Sequence, residues 1–312
     1  MGEHPEIVVI GSLNADLVQN VDRLPKPGET IVGGSLQTFS GGKGANQAYA
    51  AGRMGASVCM IGQVGSDGLA TLLLESLRAA GVSTELVGES ESPTGAAIIL
   101  VLPDGENVIV LSPGANATVT PELAAERLGV VREGGYMLSQ LEIPIESVEK
   151  SLAVARERGA ITILDPAPAR PLSPDLLANV DFLTPNETET VTLLGEPEFA
   201  MDDDANIELA ARKLLALGPR TVVLKLGARG CMITTGQDSY RVSGFKVTAV
   251  DTTAAGDVFN AAFATALAER QSVPDAARFA NAAAALSVTH PGAQNSVPSR
   301  GEVNRFLSEA GA

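Results

Sequence analysis

The sequence predicts a doubly wound, mainly parallel α/β sheet flanked by helices, with a small antiparallel β lid projecting from it. Three observations carry that expectation. From Ser57 onward, short β-branched runs alternate with helix-patterned stretches, the signature of right-handed β–α–β crossovers. Two segments interrupt this rhythm with paired strand-like runs and no helix between them. The chain has 312 residues, 45% of them apolar, which is enough for one large domain with a small appendage. The expected division is residues 1–14, 41–94 and 113–312 for the α/β domain, and 15–40 and 95–112 for the lid.

In chain order, Glu6 to Ile10 reads as a short buried strand with Gly11-Ser12-Leu13-Asn14-Ala15-Asp16 at its carboxyl end, where open α/β sheets bind ligands. Asn14 and Asp16 alternate, so an amide and a carboxylate two residues apart face one side and suit vicinal hydroxyls; polar turn residues would look the same. The first interruption is LVQNV, the stiff turn Leu24 to Thr30, then TIVGGSLQTF. The second is Ala96 to Leu102, the turn Pro103-Asp104-Gly105, and Asn107 to Leu111.

Ser40-Gly41-Gly42-Lys43-Gly44-Ala45-Asn46-Gln47 opens a helix. It is not a P-loop, because no Ser or Thr follows the lysine. Its glycines let backbone approach a ligand while Lys43 and Asn46 supply donors; a ligand-free glycine-rich helix start is the plainer alternative. The alternation then continues through SVCMIG with LATLLLESLRAAG, YMLSQLE with IESVEKSLAVARERG, and AITILDP with PLSPDLLANV. Glu142 closes the strand YMLSQLE. In TPNETE, Asn186 and Glu189 share a helical face and suit either a helix cap or waters around Mg²⁺. Lys225 to Gly230 connects two strands and fits a nucleotide or a simple turn.

The chemistry concentrates in Val250-Asp251-Thr252-Thr253-Ala254-Ala255-Gly256-Asp257. A strand is expected over Phe245 to Val250 and an alanine-rich helix from Asp257. Small residues between them leave the amides of Ala254 to Asp257 open at a helix N-terminus, an anion site. A carboxylate beside such a site suits phosphoryl transfer, with the amides taking developing charge and Asp257 taking the proton of an attacking hydroxyl. An acidic residue in a helix first turn is the competing reading. Two alanine-rich helices follow, then an irregular loop, Pro291 to Ser296.

Twenty-two basic against 37 acidic residues give a net charge of −15, which argues against nucleic acid and anionic membranes as partners. Two cysteines in apolar runs and two histidines supply no transition-metal cluster. The N-terminal stretch lacks a signal-peptide pattern and no apolar run reaches membrane-spanning length, so a cytoplasmic protein is expected.

NAD at 14–16, GGKGANQA at 41–48, TPNETE at 184–189 and DTTAAGDVFNAAF at 251–263 occur in this order in the ribokinase-like sugar kinases, which the chain resembles from its first strand to near its C-terminus. The resemblance implies ATP-dependent phosphorylation of a pentose, D-ribose at its 5-hydroxyl. Another sugar, a nucleoside, or sugar binding without catalysis are the alternatives. It further implies that Asp257 is the base and that Ala254, Ala255 and Gly256 form the anion hole. Asn14, Asp16, Gly42, Lys43, Asn46 and Glu142 would hold the sugar. Asn186, Lys225, Gly227, Ala228, Gly230, Gly256 and Asn281 would meet ATP, with Glu189 near Mg²⁺ through water. A monovalent cation, K⁺, would sit among Asp251, Thr253, Ser287, His290, Gly292 and Ser296, and the lids of two subunits would pair in a homodimer. Asn281, Lys225 and Ala228 replace the histidine, threonine and serine familiar in that family, which bears on the phosphate donor.

Overall fold

The computed structural model describes residues 5–311, so the N-terminal reading above lies partly outside the described residues. β1 (Ile7–Ile10) is aliphatic and buried throughout, as a central parallel strand requires. The chain then forms a hairpin, β2 (Asn14–Asn20) and β3 (Gln37–Gly41), before α1 (Lys43–Arg53). β4 (Val58–Gly65), α2 (Gly68–Ala79) and β5 (Ser83–Ser90) return to the main sheet, and β6 (Gly95–Val101) with β7 (Asn107–Ser112) makes a second hairpin. The alternation resumes through α3 (Pro121–Arg127), β8 (Tyr136–Ser139), α4 (Ile145–Glu157), β9 (Ile161–Leu164), α5 (Pro174–Leu177) and β10 (Phe182–Leu183). α6 (Glu187–Leu194), α7 (Asp204–Leu215) and β11 (Thr221–Lys225) lead to the antiparallel edge of β12 (Gly230–Thr235) and β13 (Ser239–Ser243). Three helices finish the chain: α8 (Ala255–Ala268), α9 (Val273–Ser287) and α10 (Arg300–Ala310).

The main sheet runs β13-β12-β11-β10-β9-β8-β1-β4-β5, parallel except at the β11-β12-β13 edge. From β1 the chain builds outward through β4 and β5 on one side, and the strands from β8 onward occupy the other. The loops after β1 and β8 therefore diverge, which opens a crevice at the carboxyl ends of the strands. Alternate residues of β1 serve opposite layers: Ile7 and Val9 join the core under α1, α8 and α9, while Val8 and Ile10 join the core under α3 and α4. α8 is buried on almost every side, so its alanines allow close helix packing, and Phe263 meets Phe182 edge-on at 5.3 Å.

The lid sheet runs β3-β2-β6-β7. Each hairpin is antiparallel, but the inner pair, β2 with β6, is parallel, because both strands leave the main domain in the same direction. Other differences from the sequence reading are local. β5, α3 and α10 were not anticipated, and PLSPDLLANV supplies only the single turn of α5. Phe245 to Val250 has no ladder partner, because Gly244 packs its backbone against Ala228 and Gly230 and the chain leaves the sheet there. Glu142 lies three residues beyond the end of β8 rather than in it. Among the described residues no helix is long and apolar enough to cross a membrane.

The start of α1 lies directly on the loop after β1. A Cβ on Gly44 would stand 2.7 Å from both the Gly11 carbonyl carbon and the Ser12 nitrogen, all backbone atoms with no room to yield. Gly44→Ala should therefore destabilise the protein by about 1–3 kcal/mol in urea unfolding, the usual cost of overpacking.

Candidate active site

The entry to α8 is built on a turn. Ala254 takes the left-handed conformation at φ 58°, and no side chain caps the helix. Among the described residues the amides of Ala254, Gly256 and Asp257 donate to no protein acceptor, whereas the Ala255 amide donates to the Thr252 carbonyl at 3.2 Å. Three open amides thus converge where four were expected, since one closes the turn that presents the others. Gly256 leaves little space: a Cβ there would lie 3.3 Å from Lys225 Nζ.

Asp257 is buried one turn into this arrangement. Asn46 Nδ2 donates to its Oδ2 at 3.1 Å and Gln47 Nε2 to its Oδ1 at 3.1 Å. Burial pushes its carboxyl up to about 6, against the pull of the Lys43 ammonium and of these two amide donors; Asp165 adds to the rise. Lys43 is held the opposite way. Burial alone would weaken its proton affinity, but Asp257, Asp165, Glu142 and Glu189 outweigh that and raise it, so the ammonium stays charged.

On the lid side, Glu142 Oε2 accepts from Ser12 Oγ at 2.5 Å, the Lys43 backbone N–H at 3.1 Å and Asn14 Nδ2 at 3.4 Å. Asn14 Oδ1 accepts from Asn116 Nδ2 at 2.7 Å. Asp16, on β2, is pushed up to about 6 by burial and by the charges of Glu142 and Asp257. Gly42, at φ 89°, starts α1 against the same loop, where a Cβ would stand 2.6 Å from the Asn14 nitrogen. Asn14, Asp16, Gly42, Lys43, Asn46 and Glu142 therefore form one polar cluster on the β2 side of Asp257, with Asn46 bonded to Asp257 itself.

A cleft of about 740 Å³ opens from Asp257 along the other side of α8. Asn186, Glu189, Lys225, Gly227, Ala228, Gly230, Gly256 and Asn281 all line it, and its outer wall is the unpaired segment Gly244 to Ala249. Asn186 and Glu189 form a capping box on α6, so the structural role considered for them is present. The Glu189 carboxylate nevertheless reaches the cleft, and burial raises its proton affinity. Lys225 Nζ donates to Asp165 Oδ1 at 2.9 Å in a buried ion pair, and Asn281 Nδ2 donates to the carbonyls of Val242 and Ser243 at 3.3 Å.

Beyond the α8 turn, Asp251 Oδ1 accepts from the Thr253 amide and hydroxyl, and its Oδ2 accepts from the Gly292 amide at 2.8 Å. Burial would raise the Asp251 carboxyl, but these bonds prevail and hold it below the usual range. The amides of Val250 and Asp251 donate to the Val288 carbonyl, directly after Ser287. Ser287 Oγ and Ser296 Oγ bond locally, to Ala284 and Ala293, and His290 is exposed with Nδ1 2.9 Å from Thr289 Oγ1. The structure joins Asp251, Thr253 and Gly292 directly, and the side chains of the other three point to local partners.

Asn116, Gln140 and Gln294 carried no sequence signal strong enough to single them out, and Gln47 lay within the GGKGANQA stretch without being given a role. Asp165 was findable, since it follows β9 at a strand carboxyl end.

A parallel sheet, a carboxylate beside open helix-start amides, and a polar cluster beside a long cleft define a sugar-phosphorylating class. The chain belongs to the pfkB family of carbohydrate kinases, whose model matches residues 4–300. It is similar to the ribokinase of Haemophilus influenzae, 41% identical over 305 residues that cover 97% of this chain and 99% of the relative. The ribokinase of Bacillus subtilis is 42% identical over 302 residues, covering 97% and 99%. Among solved structures, Arabidopsis thaliana ribokinase, in complex with ribose and ATP, matches with a TM-score of 0.91 at 37% identity, over 97% of this chain and 98% of that one.

Because Lys43 draws the Asp257 carboxyl downward, Lys43→Met should move its titration midpoint above the value of about 6. Carboxyl carbon NMR across an acid titration reads this without any substrate.

Proposed function

We propose that the protein transfers the γ-phosphoryl group of ATP to the 5-hydroxyl of D-ribose, giving D-ribose 5-phosphate. The observation that carries this reading is the position of Asp257, buried between the polar cluster and the nucleotide-sized cleft, beside three open amides. The cluster supplies an amide, carboxylates and an ammonium, a donor and acceptor set suited to a compact polyol. The similarity to ribokinases along nearly the whole chain supports the pentose.

In this scheme Asn14 and Asp16 hold ring hydroxyls, while Glu142 braces Asn14 and the start of α1. The 5-hydroxyl lies against Asp257, whose carboxylate accepts its proton as the oxygen attacks phosphorus. The amides of Ala254, Gly256 and Asp257 take the negative charge that spreads over the transferring group. Gly227, Ala228, Gly230 and Asn281 form the nucleotide wall, with Asn186 and Lys225 nearer the phosphates.

An ATP-dependent kinase works with Mg²⁺, which neutralises phosphate charge. The Glu189 carboxylate facing the cleft fits that ion as a hard oxygen donor acting through water. For a monovalent cation, K⁺, the fit rests on Asp251, kept ionised by Thr253 and Gly292, with loop carbonyls around Ser287, His290 and Ser296 as further oxygen donors.

We also propose a homodimer formed through the lid. β7 is an edge strand exposed along its whole length; Val108, Ile109, Val110 and Leu111 present apolar side chains there, with Ile98 of the paired β6 beside them. Such an edge is a template for a second chain.

A panel of sugars assayed with ATP, with and without K⁺, tests the acceptor and the cation; ribose should be the preferred substrate. Asp257→Asn should retain ribose binding by calorimetry and lose at least about two decades of turnover. Near-normal turnover in that variant would remove Asp257 from its role. Ile109→Lys should convert a dimer to a monomer in sedimentation equilibrium, and a monomeric parent would end the lid-pairing idea.

A further inference from the structure

Gln47 is not among the residues assigned above to sugar, nucleotide or metal, yet it is buried at the centre of the charge cluster. Its one amide nitrogen donates twice, to Asp257 Oδ1 and to Asp165 Oδ2, each at 3.1 Å. Both acceptors are carboxylates, so the amide orientation is fixed: a flipped side chain would aim its oxygen at two anions. The Gln47 Oε1 in turn accepts from Gln140 Nε2 at 2.6 Å. Gln140 reaches that position only because residue 11 is glycine, since a Cβ there would lie 2.0 Å from Gln140 Oε1. That same Oε1 has no hydrogen-bond partner among the described residues. A buried amide with an unmet acceptor is costly, and it is kept here in the orientation that supports Gln47.

We propose that Gln47 is the positioning residue of the phosphoryl-transfer base: one amide nitrogen holds Asp257 and Asp165 side by side, oriented and ionised. The inference rests on Asp257 acting as the base.

The physical need is plain. Two carboxylates sharing a dry site repel, and without a donor between them they would hold one proton in common. A protonated Asp257 cannot accept the hydroxyl proton. Gln47 supplies a hydrogen to each, and Lys225 takes the second oxygen of Asp165 at 2.9 Å, so Asp257 can stay ionised beside it. The ionisable groups facing Asp257 come from every side: Lys43 from α1, Asp165 after β9, Asp16 from β2, and Lys225 from β11 across Gly256. Lys43, whose proton affinity its acidic neighbours raise, is the fixed cation of this set. Among the described residues only Gln47 hydrogen-bonds both carboxylates, so it links the sugar side of the site to the phosphate side.

Gln47→Met keeps the side-chain length and removes both donors. Gln140→Met leaves Gln47 in place but releases its far end, and so serves as the milder second variant. The acid limb of the kcat profile should move up by about one pH unit in Gln47→Met. It should move by less in Gln140→Met, with turnover recovering on the alkaline side and KM for the sugar little changed. The Asp257 carboxyl carbon resonance should titrate upward by the same amounts in both variants. A fall in turnover at every pH with the acid limb and the resonance unmoved would mean that Gln47 only fills space, and would overturn the proposal. If Gln47→Met does not fold, an unmoved limb and resonance in Gln140→Met do the same. If the parent phosphorylates no sugar, the function reading fails, and the resonance alone then decides whether Gln47 controls Asp257.

Discussion

The arrangement on which the rest depends is the balance of charge around Lys43. Four carboxylates, from Asp257, Asp165, Glu142 and Glu189, act on one half-buried ammonium. Each acid comes from a different part of the fold, and each would resist burial if its neighbours were removed. The glycines at 11, 42 and 44 make this density possible by letting the first helix settle on the loop after the first strand. Amides, rather than further charges, fill the remaining contacts. Asn46 and Gln47 hold Asp257, Gln294 donates to Asn46 Oδ1 at 3.3 Å, and Ser76 donates to Gln294 at 2.6 Å. Amides orient a carboxylate without fixing its protonation as firmly as a cation would, which suits a group that must accept and release a proton.

The strand order explains why these groups meet. β1 lies between the branch that leads to β4 and β5 and the branch that begins at β8, and the chain bends away on both sides. Ser12 and Glu142 come from the two diverging loops and touch across the gap. Asp165 and Lys225 end later strands on the same side, and α8 points its first turn at the same crevice. A parallel sheet thereby brings together residues far apart along the chain, 130 positions in the case of Ser12 and Glu142.

How much of this could be read from the sequence depends on whether the signal was local. The base with its small-residue turn, the glycine-rich start of α1 and the two lid hairpins are each written in contiguous residues, and composition plus periodicity exposes them. The role of Gln47, though it lies in the GGKGANQA stretch, was not legible because its partners lie 118 and 210 residues away, and a glutamine in a helix has no pattern of its own. Phe245 to Val250 misled for the opposite reason: its β-branched pattern is genuine, but no neighbouring strand is available, so it became a cleft wall. The Ala255 amide shows the same limit on a smaller scale. The open amides were legible from the helix start, whereas the turn bond that consumes one of them exists only in three dimensions.

The parallel joint between β2 and β6 has a mechanical consequence. Asn14 begins β2 and is clasped by Asn116, just beyond the second hairpin, while Asp16 lies two residues farther along the same strand. The small sheet and these two polar residues are thus one continuous piece of backbone, so any tilt of that sheet carries Asn14 and Asp16 with it. A change in how that sheet sits would therefore reach these two residues first, leaving the cleft wall, anchored on later strands, untouched.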